Sequence, residues 1–223
     1  MTIHEPATLL TDYALTVIAG VLAYRLQRLQ GSSFSKARWW FVIGLALSAF
    51  SAFVGGSYHG FAPNVSETVA AWWWKFTLLT LHLVSASLAM SLVEEVSPES
   101  QKPAWTWLVR LKFVAFACAA IAHPTFLVAI ADYGTALVGW LLAASIGRFP
   151  WRRAMLAGIA LSIVAAVVQQ RRWAPSASFN HNDLYHVIQA VALFAFYRGG
   201  RQLGGASSAT KVATFGSSGT TMV

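Results

Sequence analysis

The chain has 223 residues, of which 57% are hydrophobic and only 11% charged, whereas a soluble domain carries roughly 25% charged residues. Its formal charge of +8 lies in short segments between apolar runs, a pattern that orients membrane proteins and argues against a nucleic-acid partner. A soluble domain is excluded, and the membrane class is left. Cys118 is the single cysteine and sits inside an apolar run, so no internal disulfide is available. The opening MTIHEP has no basic stretch before its apolar residues, so no cleaved leader is expected and the first span is its own insertion signal.

A helix needs roughly 20 mostly apolar residues to cross a bilayer. Seven segments meet that need, near 8–27, 39–61, 67–93, 104–122, 125–147, 153–170 and 182–199. Only His123 and Pro124 separate the fourth from the fifth, which makes those two a tight pair. The predicted architecture is all-α, a polytopic seven-helix transmembrane bundle over residues 1–203. The tail, 204–223, is rich in Gly, Ser, Thr and Ala and is expected to be disordered.

Lys and Arg set the expected orientation. Thirteen lie in the first, third and fifth connections and at the C-terminal side, among them Arg25, Arg28, Lys102, Arg110, Lys112, Arg148 and Arg198. The opposite side has Arg171 and Arg172, and Lys75 is inside the third span. The asymmetry places the N-terminus outside and the C-terminus in the cytoplasm.

With that orientation, the ionisable residues of the spans gather at the outer end: Asp12, His59, Glu67, His123, Asp132, His181, Asp183 and His186. Charged groups within a span cost about 2.5–3.5 kcal/mol at the helix centre, so each is a functional candidate. Each also has a plain reading. Asn182 and Asp183 make an ordinary helix start, with Asn182 as N-cap. His123 precedes a proline in a turn. His82 lies deeper and suits a hydrogen bond between helices. Lys75 either reaches the interface or pairs with an acid. Gly56 and Gly60 form a small-x-x-x-small pair for close helix packing, in this chain or another. Asn64-Val65-Ser66 is a glycosylation sequon on the outer side.

Taken together, His59, His181 and His186 come from two helices and converge on one face. Catalytic zinc sites use three protein ligands and keep a fourth position for water. The ion lowers the pKa of that water to about 7 and polarises a carbonyl. Asp132, Asp12 and Asp183 are the carboxylates that could orient such histidines.

Seven spans, a histidine ending the second in GGSYHGF (Gly55 to Phe61) and a histidine pair opening the seventh in NHNDLYH (Asn180 to His186) resemble the CREST superfamily, which includes the alkaline ceramidases and the progestin and adiponectin receptors. The resemblance implies zinc held by His59, His181 and His186. It implies hydrolysis of a lipid amide or ester drawn from the bilayer, with Ser57 positioning the water or stabilising charge and Asp132 as acid/base or orienting carboxylate. Three spacings depart from that family's pattern. His181 and His186 are five residues apart, a rotation of about 500° on a continuous helix, so either His181 precedes the helix on a turn that folds back or Asn182 stands in. Ser57 precedes His59 by two residues rather than four. The third span has no aspartate, so Asp132 or Asp12 must serve.

A retinal protein is excluded because the seventh span has no lysine. A bis-histidine haem site would draw on His59, His82, His123 and His186, but His82 is too deep to match the others. A receptor or transporter using the same polar pocket is the rival to the hydrolase, although no internal repeat of the transporter kind is present.

Overall fold

A computed structural model describes residues 2–29, 34–176 and 178–205. Of the tail expected to be disordered, only 204 and 205 fall within the described residues. The described residues form seven α-helices: α1 Pro6–Arg28, α2 Lys36–Phe61, α3 Glu67–Val96, α4 Lys102–Ala122, α5 Phe126–Ile146, α6 Arg152–Gln170 and α7 His181–Gly200. A short 3₁₀ turn, Ala62–Asn64, follows α2. All seven fall where the apolar runs placed them.

The helix starts have local causes. The Ser35 and Ser66 hydroxyls accept from the backbone N–H of Arg38 and Val69 at the starts of α2 and α3, which satisfies donors the helix cannot. Prolines occupy the first turns of α1 and α4, where no N–H is needed. At α7 the N-cap is Asn180 and not Asn182 as the sequence suggested. The Asn180 side chain accepts from the N–H groups of Asn182 and Asp183, and the Asp183 carboxylate accepts from the Asn180 N–H. This reciprocal box selects the asparagine that has an acid three residues on, and it makes His181 the first helical residue.

Six helices, α1 to α6, are long and apolar enough to cross a membrane. α7 is long enough but opens with a polar turn, His181 to His186, which dilutes its apolar character. Six helices form a ring in the order α1, α2, α3, α5, α6, α7, with α7 closing back on α1. Within it α1–α2, α2–α3 and α6–α7 pack along their lengths, whereas α5 touches α6 only lightly. α4 stands outside the ring against α3 and α5, with just Val109 and Ala120 buried.

Gly56 and Gly60 pack within the chain, against α1. A Cβ at Gly56 would lie 2.6 Å from the Asp12 Cβ, and one at Gly60 would lie 3.1 Å from the Leu9 side chain. The ring is plugged at one end by aromatic residues. Trp140 and Trp151 meet edge to face at 5.1 Å, and Phe149 stacks on Trp151 at 4.6 Å. Their indole N–H groups donate to Leu88 O and to Glu95 Oε1, so this plug buries no unsatisfied indole.

One sequence assignment is corrected by the helix limits. Lys112 was counted among the loop cations, but it is the eleventh residue of the 21-residue α4. It lies roughly 15 Å from either helix end and contributes nothing to the loop charge.

Candidate ligand cavity and its polar end

The ring encloses a cavity of about 420 Å³. Every helix but α4 contributes to its wall, and most of the lining is apolar, with Leu81, Val84, Leu137 and Leu193 typical. The periodicity of α3 explains this. Trp74, Thr77, Leu81 and Val84 recur at three- and four-residue steps and face inward together. Asp12 and His59 also line the cavity, at the end remote from the aromatic plug.

His59 is in the last turn of α2. Its Nδ1 is 3.0 Å from Glu5 Oε2, and its ring meets Tyr58 and Trp74 edge to face. Glu5 reaches it from a left-handed backbone position (φ 44°) just ahead of Pro6. The hydrogen bond from His59 holds the Glu5 carboxyl below the usual range. The contact fixes Nδ1–H on His59 and leaves Nε2 without a partner among the described residues.

Asp12 is 4% exposed, and its Oδ1 lies 3.2 Å from Nε2 of His186. The other ring nitrogen of His186 lies 3.1 Å from the Thr11 hydroxyl. Nδ1 of His186 is thus hydrogen-bonded to α1 and Nε2 lies close to the Asp12 carboxyl, and Gly56 supplies the room that lets α2 close over Asp12. Asp183 is fully buried. It accepts from the Thr8 hydroxyl at 2.7 Å as well as from the Asn180 backbone, so its work is to fasten α7 to α1 and cap it.

The remaining residues chosen from sequence lie elsewhere. His181 is half-buried at the head of α7 and its side chain makes no hydrogen bond with a described residue. It stands five residues before His186 on one continuous helix, which turns the two rings to different faces. The fold-back turn that would have brought them together is not formed. Ser57 bonds to the Tyr13 hydroxyl at 2.9 Å and to Phe53 O at 2.7 Å, and is not part of the cavity wall. Among the described residues no three His, Cys, Asp or Glu side chains are grouped so as to hold one metal ion.

Asp132 belongs to a second polar cluster, outside the cavity wall. Its Oδ2 accepts from Nδ1 of His82 on α3 at 2.7 Å, and its Oδ1 takes the Lys112 ammonium from α4. Lys112 also donates to the hydroxyls of Ser85, at 2.7 Å, and Thr135, at 3.2 Å. All three ammonium protons are thus used. The side chains of His82 and Asp132 are 0% and 1% exposed. Nε2 of His82 is buried with no partner among the described residues. Sequence reading found His82 and Asp132 separately but missed their partner. The signal was present: a lysine in the apolar run WLVRLKFVAFA, like an aspartate in AIADYGTA, requires an opposite charge at its own depth. Lys75, by contrast, has its ammonium 4.8 Å from the Trp72 ring, the cation–π alternative to an acid.

Fold and site together define an all-helical protein, six of its helices long and apolar enough to cross a membrane, with an apolar cavity that is polar at one end. The chain belongs to a family of unknown function, DUF6962, whose model matches residues 7–204. No curated protein and no solved structure matches it.

Proposed function

We propose that this is a multi-pass integral membrane protein that holds a lipid amphiphile in its central cavity. The apolar chain lies among Leu81, Val84, Leu137 and Leu193, and the polar head lies against Asp12 and His59. The observation that carries this is the cavity itself: about 420 Å³, walled by six helices, mostly apolar, with the acid Asp12 and His59 at one end. That volume is within the 300–1,000 Å³ usual for small-molecule sites. In this reading α7 is the seventh span, because a polar first turn is no obstacle at an interface. The polar end faces outward with the N-terminus, and the C-terminus is cytoplasmic. The Lys and Arg asymmetry supports that orientation even without Lys112. Exposed Trp72 and Trp173 towards one end, and Trp105 and Trp107 towards the other, have the placing of interfacial belts. A receptor or a transporter would use such a pocket in the same way.

A second reading, zinc-dependent hydrolysis of a lipid amide or ester, is favoured by one specific contact. Glu5 orients His59 through Nδ1 and presents Nε2 free, the arrangement a carboxylate gives a metal-binding histidine. A bound zinc would supply activated water and a polarised carbonyl. The expected three-histidine set does not fit that role as it stands, because His181 is turned away and the His186 ring is held between Thr11 and Asp12.

The two readings separate on one preparation. The detergent-purified protein is supplied with zinc, and its metal content is measured beside His59→Ala. Binding and turnover of a long-chain lipid amide are measured on the same samples. Binding without zinc or turnover supports the first reading. About one zinc per chain, lost in the variant, with cleavage of the amide, replaces it by the second. Failure to bind any amphiphile overturns both.

A further inference from the structure

The cavity wall is not equally thick all round. α6 packs along α7 but meets α5 lightly. At this seam Gly134 lines the cavity, and a Cβ built on it would find no atom within 4 Å. The contrast with the other glycines of the same two helices is direct. A Cβ at Gly139 would come 2.8 Å from Leu92, and one at Gly158 would come 2.5 Å from Phe196. On the α6 side of the seam, Ile163 and Val167 line the cavity and yet are 53% and 52% exposed. Side chains that belong to a cavity wall and to the outer surface at once mark a place where the two connect.

The depth of this place decides what it admits. Gly134 is eight residues past the start of α5, and Ile163 is seven before the end of α6. At 1.5 Å per residue both lie roughly 10–12 Å from the polar end of the bundle. That is within the hydrocarbon and below the head-group layer. Asp12, six residues past the start of α1, lies at about the same level, and α1 is across the ring from α5. The exposed Gln170 and Arg171 continue the rim at the polar end, whereas at this depth the rim residues Gly134, Ile163 and Val167 carry no charge and no side-chain hydrogen-bonding group. Water and free ions gain nothing there, whereas an acyl chain already dissolved in the membrane loses nothing by crossing.

From this we propose that the ligand is a membrane-resident, single-chain amphiphile that reaches the cavity sideways, through an apolar opening between α5 and α6 at Gly134, Ile163 and Val167. This rests on the reading that the cavity holds a lipid. The polar head is delivered to Asp12 and His59 across the ring without passing through water.

The test uses the full chain in phosphatidylcholine nanodiscs with palmitoyl ethanolamide carrying a mid-chain diazirine. After brief illumination, labelled peptides are assigned by mass spectrometry to the cavity wall (Leu81, Val84, Leu193) or to the outer surface (Leu108, Val114). Gly134→Leu fills vacant space and is expected to fold. It is expected to slow cavity labelling about tenfold, equivalent to roughly 1.4 kcal/mol on the crossing. Ile163→Ala widens the opening and is expected to speed cavity labelling. Outer-surface labelling stays the same in both. Cavity labelling that neither variant changes overturns the side opening and leaves the cavity reading standing. Outer-surface labelling alone in the unmodified protein overturns the cavity reading itself.

Discussion

Lys112→Met tests whether the buried cluster between α3, α4 and α5 is energetically coupled. The substitution keeps the length of the side chain and removes its charge. The Asp132 carboxylate, 1% exposed, then retains the bond from His82 on Oδ2 and loses its cation on Oδ1. Ser85 and Thr135 lose a donor at the same time. Breaking a buried pair by removing one partner costs about 3–5 kcal/mol. The Lys112 side chain is 18% exposed, so the lower figure, about 3 kcal/mol, is expected. Asp132→Asn is expected to cost less, because a lone lysine can redirect its flexible chain towards an interface, whereas a lone buried aspartate cannot move. The double variant Lys112→Met with Asp132→Asn leaves a neutral acceptor for His82 and is expected to return to within about 1 kcal/mol of the parent. The assay is unfolding in mixed micelles at rising denaturing detergent, followed by tryptophan fluorescence. A loss below about 1 kcal/mol for Lys112→Met, or a double variant no better than the single, would refute the coupling.

Glu5 and Gly56 support two smaller predictions. The His59 contact lowers the Glu5 pKa in the folded state, so its contribution is complete above the ordinary glutamate range and disappears as pH falls through the lower, folded value. Thermal unfolding is expected to lose stability over that acid window, and Glu5→Gln to flatten the loss; equal slopes for the two proteins would remove the contact from the account. Gly56→Ala sets a methyl 2.6 Å from the Asp12 Cβ, which cannot swing aside. It is expected to cost about 1–3 kcal/mol by forcing α1 and α2 apart, whereas Gly134→Ala, into open space, stays within about 0.5 kcal/mol. Similar values for the two glycines in the micelle assay would contradict the packing described at Asp12.

The helices were legible because the apolar runs are long enough for a bilayer; the serines or prolines at the starts of α1 to α4 mark four of them a second time. The site was legible only by depth. Grouping ionisable residues by the end of the bundle they occupy brought out Asp12, His59 and His186, which do gather. The same grouping wrongly joined Asp132 to them, because depth says nothing about which face of a helix a residue takes. His181 and His186 failed for a related reason. Their five-residue spacing already stated the disagreement, and the Asn180–Asp183 box resolved it by starting the helix one residue before the escape turn could form. Lys112 was misplaced by counting cations per segment; its distance from the helix ends, read from the same sequence, puts it in the middle.

Helix phase also explains why one bundle holds two polar systems without mixing them. On α3, Leu81 and Val84 face the cavity, while His82 and Ser85, each one residue further on, face α4 and α5. On α5, Tyr133 and Gly134 face the cavity, while Asp132 and Thr135 face Lys112. A single-residue step turns a helix by about 100°, enough to separate a wet face from a dry one at the same depth. α5 is therefore tied on one side by a buried charge pair and by the Lys112 ammonium's bond to the Thr135 hydroxyl, and on the other side rests lightly on α6. A movement that widens the wall at α5 is expected at the lightly held seam, because parting α5 from its other wall neighbour, α3, would break the buried His82–Asp132 bond. The cluster that contains Asp132 thus has a consequence for the cavity without touching its contents: it fixes which side of α5 can give.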